Sequence, residues 1–292
     1  MQKTSIEWVF NADGSRPGYS CNVMTGCLNH KDGMCLGGDF PCYAYKQSHN
    51  RGPRGLYKAD MAGEAYYRWD CEAYKKYPPD KVEDSFFPRY HIKRFPQLLH
   101  APKNAGVFVD DRSDWAACYW PRWCQDKIIE AAVKRPDIRL YLLTKQPQEL
   151  AKFSPFPDNV WPGVTLTLGN DNYGHDCPPE RFYTLNCLKD IKAKVKFISF
   201  EPLLGQLCRG YTHLWWAENF KKCGINWVII GAQTKPIKDP DIEWVKEIVT
   251  AADEAGAKVF LKNNLYKFLM EFPHDDLFWE DISNMRKEIP EG

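Results

Sequence analysis

A surplus of either charge is what this chain most clearly lacks: 39 Lys and Arg stand against 38 Asp and Glu, a formal net charge of +1. No global basic field exists to hold nucleic acid, so any such binding has to come from a local patch. Also missing is an apolar run of membrane-spanning length, and no membrane partner is expected. Met1 to Ser15 carries charged and polar side chains where a secretory leader needs an apolar core. Internal repeats and low-complexity tracts are absent as well. What is present is material for a substantial core, since 292 residues are 44% hydrophobic and 14% aromatic. Eleven cysteines, an odd number without a leader, fit a reducing cytoplasm in which thiols stay free for metal or redox work.

Three of those cysteines, Cys27, Cys35 and Cys42, share the stretch TGCLNHKDGMCLGGDFPCYA, with Gly26, Gly33, Gly37, Gly38 and Pro41 between and around them. Such residues let a backbone fold tightly around a compact soft-metal site. Three ligands leave one coordination position open for a substrate or cofactor, either on an iron-sulfur cluster or on a zinc ion. The spacing C-x7-C-x6-C is neither a zinc knuckle nor a ferredoxin run, so the ligand set rests on crowding and loop chemistry. Free buried cysteines are the alternative. Cys21, just upstream, is a candidate fourth ligand that would close the site.

From residue 105 onward, short apolar runs recur, each ending in polar residues. They are Gly106 to Asp111, Arg139 to Lys145, Trp161 to Thr167, Lys196 to Pro202, Trp227 to Thr234 and Lys258 to Asn264, with a further strand expected near Tyr19 to Met24. Amphipathic helical segments such as Trp123 to Lys134 and Ile242 to Gly256 lie between them. The alternation predicts an α/β fold with a parallel sheet buried on both faces, and the polar endings favour a partial or complete (β/α) barrel. In a barrel the site forms at the strand C-termini. Those ends carry Asp110, Asp111, Thr144, Lys145, Thr165, Thr167, Glu201, Gln233, Thr234, Lys262, Asn263 and Asn264. Helix capping and solvated loops are the competing use for each of them.

The organisation expected is a single domain over 1–292, with a cysteine loop at about 21–46, an insertion at about 51–104 and barrel strands at about 105–264. The insertion, helical in its middle, interleaves basic and aromatic residues in RGPRGLYK and SFFPRYHIKRFPQ. That pattern can clamp nucleic acid, and it can equally be packing.

The motifs resemble those of a phage-associated three-Cys-motif family of unknown function, similar to radical S-adenosylmethionine enzymes, whose usual pattern is GC-x6-C-x2-CYA. The TGC and CYA ends of the cysteine loop carry the likeness. So do Ser113-Asp114, Leu142 to Pro147, WPGVTLT, Phe200 to Gly205, WVIIGAQT and Val259 to Leu265, in the same order along roughly residues 5 to 270. This chain departs in its longer gaps, in Phe40-Pro41 before the last cysteine, and in Asp111-Arg112-Ser113-Asp114 where the family often has Ser-Met-Ser-Asp. The resemblance implies a radical-SAM type barrel, a 4Fe-4S cluster on Cys27, Cys35 and Cys42, and S-adenosylmethionine on the free iron. An electron from the cluster would break a carbon-sulfur bond of the cofactor to give a 5'-deoxyadenosyl radical. An electron donor, a reductase or flavodoxin-like protein, is then a required partner, and nucleic acid is the substrate class suggested by analogy.

Cofactor contacts are expected from Ser113, Asp114, Thr144 and Glu201. Lys145 and Lys262 are catalytic candidates, each with a structural ion pair as the alternative. Cys118, with Cys124 near it, could donate a hydrogen atom to a product radical, or either could be a core thiol. His30 and His91 are candidate ligands or simple polar loop residues. A metal-stabilised binding or accessory protein, holding zinc or a cluster without radical chemistry, is the second reading.

Overall fold

The computed structural model describes residues 1–66, 82–169, 179–207, 211–273, 275–281 and 284–292. Its framework is one eight-stranded sheet. In chain order the strands are β1 (Gln2–Lys3), β2 (Tyr19–Cys21), β3 (Gly106–Val109), β4 (Arg139–Thr144), β5 (Val160–Thr165), β6 (Phe197–Phe200), β7 (Trp227–Ile230) and β8 (Lys258–Leu261). They lie side by side in that same order, and apart from the antiparallel β1–β2 pair every neighbour is parallel. Strand β2 lies at the Tyr19 position expected, and β3 to β8 coincide with the six apolar runs.

Side chains along these strands alternate cleanly between two cores, as a period of two requires. Val107, Val109, Leu140, Leu142, Val228, Ile230, Val259 and Leu261 join the larger core, shared with the helices. Those helices are α1 (Tyr43–His49), α2 (Arg122–Lys134), α3 (Pro179–Lys189), α4 (His213–Cys223) and α5 (Ile242–Ala255). Helix α5 begins where the Asp241 carboxylate accepts from the Glu243 amide at 2.9 Å and ends at Gly256 in the left-handed region, φ +75°.

The opposite strand face carries Phe108, Tyr141, Trp161, Phe197, Trp227 and Phe260, which pack on Trp8 and Phe10 of the N-terminal segment. Trp8 lies 4.9 Å from the Phe108 ring on β3 and 6.2 Å from the Trp227 ring on β7. In a flat sheet those two strands would be about 19 Å apart, too far for one indole to touch both. The sheet is therefore rolled around an aromatic interior. Gly163 makes room for this packing, because a Cβ there would lie 2.4 Å from the Phe197 ring. Among the described residues no ladder joins the first strand to the last, so a closed barrel is not seen.

Both chain ends cover the bottom and one edge of this roll. The amide of Leu261 donates to the Arg286 carbonyl at 3.0 Å and that of Glu288 to the Val259 carbonyl at 3.0 Å, which covers the exposed edge of β8. At the N-terminal strand ends the Tyr141 hydroxyl donates to the Phe10 carbonyl at 2.8 Å, and the Arg139 guanidinium stacks 3.8 Å over the Trp161 ring.

Part of the insertion packs internally, while residues 51–54 are exposed. Phe86, Phe87 and Tyr90 are buried, and Arg89 donates to the Gly63 and Val82 carbonyls. Arg94 donates to the Asn22 and Ala59 carbonyls. A short helix, Tyr57–Met61, lies in this stretch, and part of the expected helical middle falls on residues 67–81, outside the described ones. No described helix is long and apolar enough to cross a membrane.

Candidate functional site

The cysteine loop lies across the C-terminal ends of β3 to β5. At β3, Gly26 forms a parallel bridge with Ser113, and the Ser113 hydroxyl donates to the Gly26 carbonyl at 2.7 Å. A Cβ on Gly37 would meet the Lys145 side chain, at the end of β4, at 2.8 Å. Beyond β5 the Thr167 hydroxyl donates to the Gly37 carbonyl at 2.8 Å. Gly38 follows at φ +138°, where a Cβ would lie 2.2 Å from the Thr167 hydroxyl, so only glycine fits. Tyr43, which follows Cys42, donates its hydroxyl to the Asp111 carbonyl at the exit of β3.

Within the loop, a small antiparallel meander of His30–Lys31, Met34–Cys35 and Phe40–Pro41 brings the cysteines into one neighbourhood. Cys35 lies close enough to bear electrostatically on both Cys27 and Cys42. Burial, and after it the charge of Asp114, pushes the Cys27 thiol up to about 12. Its sulfur accepts the Asn29 amide at 3.2 Å. Burial also raises the Cys42 thiol, opposed by the Tyr45 and Ala44 amides that face the sulfur. Cys21 stands apart. It belongs to the helix-side core, and the groups that bear on its thiol are the N-terminal amine, Asp110, Arg94 and Asp111.

Three thiols on one loop, with amide donors facing two of them, suit a soft metal centre, and thiolate formation on metal binding would replace their protons. One further feature fits. The Tyr119 hydroxyl is fully buried beside the Cys27 sulfur and has no hydrogen-bond partner. As the side chains stand, no three of ligand type among the described residues meet at ion-holding distance.

The expected cofactor residues divide into two groups. Ser113, Asp114 and Thr144 already have protein partners: Asp114 accepts from the Thr144 hydroxyl at 2.5 Å and from the Lys145 amide at 3.0 Å. Thr144 follows Leu140 and Leu142 on the helix-facing side of β4 and also receives the Gln146 amide at 2.9 Å. In this arrangement the three residues brace the loop. Glu201 and Lys262 continue the inner faces of β6 and β8, pair with each other, and converge over Gly231, whose Cβ would meet them at 3.3 Å and 3.0 Å. Lys145 continues the inner face of β4, beside Cys42 and Asp114.

Cys118 is disulfide-bonded, and a sulfur so held has no S–H to give. Cys124 is buried on α2 in the helix-side core. The two histidines are structural. His30 packs on Tyr45 and Phe86 and receives the Gly33 amide at 3.3 Å, while His91 pairs with the Thr25 hydroxyl at 2.8 Å. Gln233 and Thr234 form a hairpin with Ile237–Lys238, and Asn264 ties itself to Ala232 through both ends of its amide.

Sequence reasoning assigned no role to three residues that matter here. Tyr43 lies inside the CYA end of the motif. Its ring is half exposed, yet its hydroxyl is enclosed and donates to the Asp111 carbonyl. Burial, then Asp111, Cys42 and Glu201, hold that phenol well above its usual range. Asn22 clamps the β3 exit loop by donating to the Asp111 carboxylate at 2.6 Å and accepting the Arg112 amide at 3.1 Å. Tyr119 carries no local pattern to mark it.

Neither the curated proteins nor the solved structures contain a match to this chain. Residues 3–267 match the family described as protein of unknown function (DUF5131), and the chain belongs to that family.

Proposed function

We propose that the protein is an iron-sulfur enzyme of radical-SAM type, built on a partial (β/α) barrel. The carrying observation is that the loop bearing Cys27, Cys35 and Cys42 spans the C-terminal ends of three consecutive parallel strands, with Cys35 in electrostatic range of both other thiols. Those three cysteines would hold a 4Fe-4S cluster, and S-adenosylmethionine would take its open iron. When bound, the pair supplies an electron and a cleavable carbon-sulfur bond, hence radical chemistry.

The chain's own residues orient and shield. Lys145 offers an ammonium to a carboxylate at the loop, and the Glu201–Lys262 pair presents both signs of charge at the mouth. Ser113, Asp114 and Thr144 act one layer back, holding loop and strand ends in register. Trp8 and its aromatic neighbours fill the interior below, so chemistry is confined to the strand-end side. A nucleic-acid-related substrate, a phage setting, a flavodoxin-like or reductase donor and a cytoplasmic location complete the reading. The substrate, setting and donor follow from the family resemblance and the location from the free loop thiols, with the Cys118 disulfide counting against it, rather than from geometry.

The test is anaerobic reconstitution followed by iron and sulfide analysis and an assay for 5'-deoxyadenosine after reduction. About four irons per chain with 5'-deoxyadenosine released supports the reading. Colourless protein with one zinc ion favours the second one, a metal-stabilised accessory protein. That alternative has its own support, because three of the expected cofactor contacts already have protein partners.

A further inference from the structure

Tyr119 is fully buried, and its hydroxyl has no hydrogen-bond partner. A phenol hydroxyl left dry and unpaired is unfavourable, and a Phe would fill the same space without that cost. The surrounding turn holds this residue firmly. The Ala117 amide and the Trp120 indole both donate to the Asp114 carbonyl, at 3.1 Å and 3.0 Å, and the Trp120 amide donates to Ala117 at 3.1 Å. The Cys118 amide is taken by the Gln146 side chain at 3.1 Å. So fixed, the hydroxyl lies beside the Cys27 sulfur and the neighbouring Leu28 amide, close enough to interact with both but without a well-formed hydrogen bond to either.

A protonated thiol is a weak acceptor, whereas a metal-bound thiolate is a strong one. We propose that Tyr119 is a positioning residue for the metal centre, whose hydroxyl donates to the Cys27 sulfur once that sulfur is a metal-bound thiolate. The inference rests on the cysteine-loop metal reading. Two physical consequences follow. In the metal-free protein the hydroxyl makes no well-formed hydrogen bond, so Tyr119→Phe keeps the ring packing and removes a poorly satisfied polar atom. In the loaded protein a hydrogen bond to sulfur draws charge off the cluster and favours its reduced form.

The experiment compares wild type and Tyr119→Phe after identical anaerobic reconstitution with iron and sulfide. Metal-free Tyr119→Phe should melt at or above the wild-type temperature. Both loaded proteins should carry the same iron and sulfide, and a dye-mediated redox titration should show a more negative midpoint potential in the variant. Equal potentials at equal iron content overturn the inference alone. A metal-free variant that melts well below wild type, or fails to fold, also overturns it, because the hydroxyl would then have a structural partner. Wild-type protein that takes up no iron overturns the iron-sulfur reading and this inference with it.

Discussion

The Ser113 hydroxyl donates to the Gly26 carbonyl at 2.7 Å, and the Gly26 amide donates back to the Arg112 carbonyl at 3.2 Å. Through these two bonds the cysteine loop is stitched to the exit of β3 rather than hung in solvent. The position of the thiols depends on that attachment, which makes it the first thing to perturb.

Gly26→Ala is expected to be costly. Gly26 adopts φ +83°, and a Cβ would lie 2.4 Å from the Phe87 carbonyl oxygen and 2.5 Å from that of Phe86. Both are backbone atoms that cannot swing aside. Strain and clash together should cost about 3 kcal/mol. Gly256→Ala is the control, since φ is +75° there but nothing lies within 4 Å of the added atom. Its cost should stay near 1 kcal/mol, the conformational part alone. Urea unfolding of the two variants measures the difference, and equal losses would mean that the loop gives way at Gly26.

Asp60 and Arg112 form an ion pair with side chains only 2% and 7% exposed, joining the insertion to the loop after β3. Removing one partner strands the other charge in a dry setting. Asp60→Leu or Arg112→Met alone should therefore cost about 3–5 kcal/mol, and the double variant should recover much of that loss. A double-mutant cycle by chemical denaturation reads the coupling. Strictly additive losses would show that the pair is worth nothing as a pair.

His91 predicts an acid-side slope in stability. Burial first, and then Arg94, Arg112 and Arg89, push its imidazolium down from 6.5 to about 3. In that window the unfolded chain binds the proton and the folded one does not, so stability rises with pH. The contribution is complete above about 6.5 and is lost progressively as pH falls towards about 3. Asp110 works in the opposite sense, because burial raises its carboxyl well above the usual range and its ionisation weakens the fold as pH rises. His91→Gln should flatten the fall in urea midpoint between pH 7 and pH 5. An unchanged slope would remove His91 as its source.

The metal assignment has a sharp genetic test. Cys27→Ala, Cys35→Ala and Cys42→Ala should each abolish iron and sulfide uptake, because a site with three protein ligands cannot readily lose one. Cys21→Ala should retain wild-type uptake, given its position in the helix-side core away from the loop thiols. Iron and acid-labile sulfide analysis decides. Full uptake by all three loop variants ends the assignment, and equal loss in the Cys21 variant would indicate a closed four-thiolate site.

By itself the sequence determined the sheet. Each apolar run from Gly106 to Leu261 became a buried strand, because near-continuous Val, Ile, Leu and aromatic runs between amphipathic helices have no better way to exclude water than a parallel sheet covered on both faces. It also located the cysteine loop, since glycines at tight positions and closely spaced thiols are local signals. Tertiary structure alone decided what the polar strand ends do. Whether Thr144 faces a cavity or a helix is a matter of strand parity, set by which neighbours share the core, and Leu140 and Leu142 placed it on the helix side. Trp8 as the plug of a rolled sheet, Asp60 as the mate of Arg112 across 52 residues, and Tyr119 against Cys27 are contacts between distant segments. Such pairings depend on chain closure and on the packing of whole elements, and no window of sequence carries them.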